Sequence, residues 1–298
     1  MRLKVATLSP LCLGLILSLD ANAIDLQPGE IVAPPAGLNL VQTTYQMSER
    51  GDQYVNGRKQ SADTKLSAHQ LQLRYVRTFE TFNMPSLVYV QTPMGYVHPD
   101  KVLNQYFDAK SGVGDTSLVY AVWPYANREK KEYWGVGAYL TLPSGQYDGG
   151  NATLNMGGNR YAYALQTGYQ RPLSEKLHWM GAVDAVWFGS HDDFRPYQAY
   201  SGPDMKYQQD ALYTIQTGLS YNLTPRLTVA GAYFFTEGGE TSRDGLDQND
   251  TTRLQRYQLT ASSQFSFGRV TLQYGEDIKT KNGFFEDSRI ILRFITAF

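Results

Sequence analysis

The sequence predicts an all-β fold: a transmembrane, antiparallel β-barrel of about twelve strands whose two ends emerge on the same side. Three observations predict it. The last eleven residues alternate in polarity to the terminal Phe298; alternating segments recur along the chain with connectors that are long and short by turns; and no stretch after residue 23 has the roughly 20 consecutive apolar residues that a membrane helix needs.

In the closing segment Ile290, Leu292, Phe294, Thr296 and Phe298 fall on one face, and Arg289, Ile291, Arg293, Ile295 and Ala297 on the other. A period of two is a strand. A last strand with a nearly unbroken apolar face suits a barrel, because that strand closes the cylinder and faces lipid. The ending resembles the carboxy-terminal signal of bacterial outer-membrane proteins, an aromatic last residue preceded by alternating apolar ones, which the barrel-assembly machinery reads. Phe294 and Phe298 are therefore the expected assembly signal.

At the other end, residues 1–23 carry Arg2 and Lys4, an apolar run from Val5 to Leu19, and Ala21-Asn22-Ala23 in the form of a signal-peptidase site. The expectation is a cleaved secretory signal, with the mature chain starting at Ile24. Cys12, the single cysteine, leaves with it, which excludes disulfides and thiolate chemistry from the mature chain. Removing Arg2, Lys4 and Asp20 leaves a net charge of about −2, and no basic patch points to nucleic acid. The 22 Tyr, 13 Phe and 27 Gly favour strands, and tyrosine suits membrane interfaces, where its ring is apolar and its hydroxyl wet. Residues 24–35, with Pro28, Gly29, Pro34 and Pro35, show no periodicity and read as an irregular, mobile periplasmic tail rather than a luminal plug; residues 36–298 read as the barrel.

Strands are expected near residues 37–47, 66–80, 84–96, 114–124, 132–142, 159–171, 176–188, 209–222, 226–236, 253–266, 269–279 and 287–298. The short connectors and the long, Gly-, Asp-, Asn- and Ser-rich ones alternate without exception. Outer-membrane barrels place short turns in the periplasm and long loops outside, and an even strand count puts both termini in the periplasm. Outward faces read as Leu71, Leu73 and Tyr75, as Tyr163 and Leu165, or as Tyr213, Ile215 and Leu219; the opposite faces are polar, the reverse of a soluble barrel. The first and third strands do not assign cleanly.

Three pieces carry a family resemblance: Ser111-Gly112-Val113-Gly114-Asp115-Thr116, Leu142-Pro143-Ser144-Gly145-Gln146-Tyr147 and Gly157-Gly158-Asn159-Arg160-Tyr161. They resemble the landmarks of the outer-membrane family known as the MetA-pathway of phenol degradation. That resemblance implies a barrel admitting small hydrophobic or aromatic compounds. Physically, the glycines need only mark bends where strands leave the rim.

No residue reads as catalytic, cofactor-binding or metal-ligating, and no cofactor is expected. Ser67 and His69 share a strand face but in the order opposite to that of barrel lipases, and His191-Asp192-Asp193 reads as a solvated loop cluster. The inward charges are more informative. Arg74, Arg256, Arg289 and Arg293 are expected to face Asp115 and Asp184 across the lumen, pairing to brace the wall or filtering ions. The sequence thus predicts a monomeric channel in the outer membrane of a Gram-negative bacterium, in contact with outer-membrane lipids and the assembly machinery. It would pass small organic solutes, aromatic or hydrophobic ones included, and no nucleic acid. The competing readings are a structural or surface-interaction barrel and, remotely, a lipid-modifying hydrolase.

Overall fold

In a computed structural model that describes residues 24–298, the chain forms one closed antiparallel barrel. The twelve wall strands are β1 (Asn39–Val55), β2 (Thr64–Thr81), β3 (Met84–Lys101), β4 (Thr116–Asn127), β5 (Glu132–Leu142), β6 (Ala162–Pro172), β7 (Leu177–Phe188), β8 (Leu212–Asn222), β9 (Leu227–Gly238), β10 (Thr252–Phe265), β11 (Gly268–Thr280) and β12 (Gly283–Ala297). Each pairs with its sequence neighbour, and β12 closes on β1 from Leu40 opposite Ala297 to Tyr54 opposite Gly283. Closure leaves no unpaired edge, which is what allows strands to cross a hydrocarbon layer. The expected signal segment lies outside the described residues.

The alternation read from the sequence is the alternation of the wall. Leu73, Tyr75, Leu118, Tyr163, Leu165, Val183, Tyr213, Ile215, Leu219, Leu259, Leu272 and Leu292 are exposed on the outer face. Gln42, Thr44, Gln166, Asp184, Thr214, Gln216, Arg256, Gln258, Gln273 and Arg289 are buried inside. The two strands left unassigned also resolve: β1 points Val41 and Tyr45 outward, and β3 points Val88 and Val90 outward with Tyr89 and Gln91 toward the lumen.

Strands β1 to β3 run 17 or 18 residues, well beyond the roughly 9–11 that span a bilayer. They reach further than the sequence suggests because Asn56-Gly57 makes a tight hairpin, with φ of 51° and 75°, from which Arg58 and Lys59 pair back on Val55 and Tyr54. The expected rule of connector length has one exception: β11 and β12 are joined at the loop end by Lys281 and Asn282 alone. Asn282 compensates by accepting the Asn56 N–H at 2.7 Å and donating to the Thr251 carbonyl at 2.9 Å, tying three hairpins together.

Beyond the wall, the long connectors fold into a cap at the loop end. Short strands His191–Phe194, Met205–Gln209, Thr241–Arg243 and Leu246–Asp247 make a second sheet. It helps bury one apolar cluster of Leu66, Val97, Leu103, Phe107, Leu154, Met156, Phe194, Tyr207 and Phe284.

Candidate functional site

The lumen is the site, and its occupant is the segment expected to be a mobile tail. Residues 24–35 run inside the barrel, and the charged and amide side chains on them are met by inward side chains of the wall. Asp25 receives Arg256 at 2.7 Å on both carboxylate oxygens and Arg289 at 3.4 Å. Glu30 receives Arg293 at 3.1 Å and lies 3.7 Å from Arg74. Gln27 is engaged by Gln258 and Gln273, and the Trp123 indole N–H donates to the Ile31 carbonyl at 2.7 Å. Ile31 and Ala33 complete an apolar contact with Trp123, Tyr133 and Met180. A proline-rich stretch has no strand to join, since its donors are few, but it needs partners for its carbonyls, and the lumen supplies them.

This arrangement corrects the expected charge pairing. Arg74, Arg256, Arg289 and Arg293 do line the lumen, but their acids are Asp25 and Glu30 of the plug, with Glu286 at 2.9 Å from Arg289, rather than Asp115 and Asp184. Four inward arginines against the two carboxylates read as inward were the available clue that further acids face them. Asp184 is buried on β7, and neither of its oxygens has a hydrogen-bond partner among the described residues.

Asp115 has a different role. Its Oδ1 accepts the Gly145 N–H at 2.7 Å and its Oδ2 the Gly158 N–H at 2.8 Å. The three motifs that carry the family resemblance thus meet on one carboxylate. Space explains the glycines: a Cβ on Gly145 would stand 2.6 Å from the Gly114 carbonyl carbon, and one on Gly157 2.8 Å from that of Gly145. Asp115 is a clasp between connectors at the loop end.

Between plug and cap lies a chamber of about 240 Å³ lined by Tyr89, Tyr139, Phe188, Ile291, Arg74 and Gln91, among others. The Arg74 guanidinium sits 4.3 Å from the Tyr89 ring centroid, and the Tyr139 hydroxyl donates to Gln166 at 2.9 Å. The chamber therefore offers ring faces and hydrogen bonds side by side, with Arg74, Arg289 and Arg293 facing the carboxylates of the plug.

The cap is ordered by local chemistry. His191, expected in a solvated cluster, is buried against Tyr147 and Tyr207 and lies 2.8 Å from Asp193. Burial holds its imidazole below the usual histidine range despite that carboxylate. Asp148 is held below the carboxylate range by the Lys110 ammonium, which hydrogen-bonds it at 2.9 Å. His69 accepts or donates at 2.7 Å with the Tyr45 hydroxyl and stacks on Tyr96, an interfacial aromatic group away from Ser67 chemistry. Among the described residues no group of three His, Cys, Asp or Glu could hold a metal ion.

At the closing strand, Phe298 donates its N–H to the Asn39 carbonyl at 3.0 Å, and its exposed ring lies beside Tyr75; Phe294 packs near Phe267. The terminal residue is thus the last rung of the seam between β12 and β1.

A twelve-stranded barrel with an apolar outer band and a polar, plugged lumen is an outer-membrane protein. The chain belongs to the family described as MetA-pathway of phenol degradation, whose profile matches residues 50–294. It is similar to the crystal structure of an outer membrane channel from Pseudomonas putida F1, with 30% identity, a TM-score of 0.85, and coverage of 92% of this chain and 100% of that one. The β-domain of the Bordetella autotransporter BrkA shares the fold alone, at 11% identity and a TM-score of 0.51 over 88% of this chain and 100% of that one. No curated protein matches the sequence.

Proposed function

We propose that the barrel is a gated channel for the passive passage of small, largely uncharged organic molecules, aromatic ones included, with both termini in the periplasm. The observation that carries this reading is the chamber itself. Its volume of about 240 Å³ exceeds the ~150 Å³ known to admit benzene and falls short of the ~300–1,000 Å³ of sites for larger ligands. Tyr89, Tyr139 and Phe188 offer ring contacts, and Gln91, Ser117 and Thr141 offer hydrogen bonds. Luminal arginines neutralised by Asp25 and Glu30 leave no strong field to attract an ion. The plug closes the turn side of this chamber, so passage requires it to shift. The relative that is an outer membrane channel and the family's phenol-linked description support the same reading.

The test is initial uptake of labelled phenol-sized solutes and of labelled sugars by cells that carry or lack the barrel, paired with planar-bilayer conductance of the purified protein. Faster uptake of the small neutral aromatic solute, little change for sugars and a low, intermittent conductance are expected. Uptake equal in both cell types, with a silent bilayer, would leave a structural barrel as the better description.

A further inference from the structure

Asp184 is a buried luminal acid that the wall's arginines leave without an ion pair among the described residues. Its side chain is only 5% exposed, and neither oxygen has a hydrogen-bond partner among the described residues. A buried carboxylate left alone is costly, and it is either kept neutral by a proton or met by a cation. The surrounding wall has none to give. The inward side chains near it are Ala164 and Gln166 on β6, Ala182 and Val186 on β7, and Thr214 and Gln216 on β8. Arg256 and Arg289 are committed to Asp25, and Arg160 lies on Phe188 and donates to Gln209.

Ile24 is held by the glutamines on the two strands that flank Asp184. Its carbonyl accepts from Gln166 Nε2 at 2.6 Å and from Gln216 Nε2 at 3.1 Å, side chains on the two strands that flank β7. Gln166 is the register partner of Asp184 on one side, and Gln216 is two residues from its partner Thr214 on the other. The Ile24 side chain packs with Ala164, Val186 and Leu212, one row nearer the loop end than Asp184. The residue thus lies at the register level of Asp184 and the row above it, and covalent geometry keeps its nitrogen within roughly 4 Å of its own carbonyl oxygen.

We propose that Asp184 is the binding site for the chain's own new amino terminus: cleavage after Ala23 creates an α-ammonium on Ile24, and that ammonium pairs with the Asp184 carboxylate and fixes the end of the plug. The proposal rests on reading Ala21-Asn22-Ala23 as the processing site. Hydrolysis of the Ala23–Ile24 peptide bond by signal peptidase consumes one water, leaves the carboxylate on Ala23 and delivers the amine, protonated at neutral pH, to Ile24. An unprocessed or extended chain has an amide nitrogen there and no charge to offer. Processing therefore supplies the cation that completes the luminal charge balance, and Asp184 is a positioning residue for the plug.

The experiment uses barrel extracted from outer membranes and 2-pyridinecarboxaldehyde, a reagent selective for free α-amines, with intact mass as the readout. Folded wild type and Asp184→Glu should label slowly, and Asp184→Asn at least tenfold faster, while all three keep their heat-modifiable gel mobility. Bilayer recordings of Asp184→Asn should show more frequent opening. Equal labelling rates in wild type and Asp184→Asn would overturn the proposal. So would a mature mass that starts anywhere but Ile24, whatever the solute-uptake results. Wild type alone gives an independent check: labelling of the folded barrel as fast as that of the urea-unfolded chain would also refute it.

Discussion

Asp25→Asn removes the acid on which the plug's deepest ion pair depends. Arg256 then loses its hydrogen-bonded carboxylate and keeps its contact over the Phe234 ring, 4.3 Å from the centroid, with longer-range attraction to Glu286 and Asp277, whereas Arg289 still has Glu286 as a direct partner. The Arg256 and Asp25 side chains are 5% and 13% exposed, so this is a buried pair broken from one side. Such a loss costs about 3 kcal/mol at the low end of the measured range, and at about 1.4 kcal/mol per tenfold it shifts the balance between seated and displaced plug by roughly a hundredfold. Single-channel recording reads that balance as the fraction of time spent open. The control is Asp52→Asn, which removes an exposed pair with Lys59 that solvent largely screens and should leave the trace unchanged. An Asp25→Asn barrel with the open fraction of wild type would refute the inference that these ion pairs hold the plug.

Other outcomes follow from the same geometry. Deleting Phe298 should lower the amount of barrel in the outer membrane severalfold, since it removes the last rung of the seam, whereas Asp244→Ala at an exposed turn should not; immunoblots of membrane fractions compare them. Gly157→Ala drives a Cβ into the Gly145 backbone and should destabilise the Asp115 clasp by about 1–3 kcal/mol, read as a lower temperature of conversion from the folded to the unfolded gel band. The cap should loosen in acid. Because the folded state depresses the His191 pKa, the stability this group contributes is present above the ordinary histidine value near 6.5 and is lost as pH falls below it. The protection factor for hydrogen exchange at Tyr207, corrected for the intrinsic rate at each pH, should therefore fall between pH 7.5 and 5 in wild type and much less in His191→Phe.

Periodicity made the wall legible because a strand's two faces meet two different solvents. Leu165 and Gln166 cannot exchange places without exposing one to lipid and burying the other, and that constraint is written locally. The plug was not legible, because Ile24 to Pro35 has no period and its place in the lumen is set by partners more than 40 to more than 260 residues away, such as Thr78, Arg289 and Arg293. The cap failed for a related reason: Leu103, Phe107, Phe194 and Tyr207 stand singly in polar connectors and become a core only when separate connectors converge. Inward Tyr89 and Leu87 obscured the face of β3 because one lines the chamber and the other packs toward the plug's apolar contact. At the site, the arginines were visible from strand alternation, but Asp25 and Glu30 looked like solvated tail residues until their partners were in place.

The most direct measurement is the initial uptake of labelled phenol, at concentrations where the outer membrane limits its uptake, by cells lacking the barrel, cells carrying wild type, and cells carrying Asp25→Asn together with Glu30→Gln. The account predicts uptake that rises in that order, with monosaccharide uptake rising only in the double variant. Phenol uptake that is the same in all three, at matched amounts of folded barrel, would contradict it.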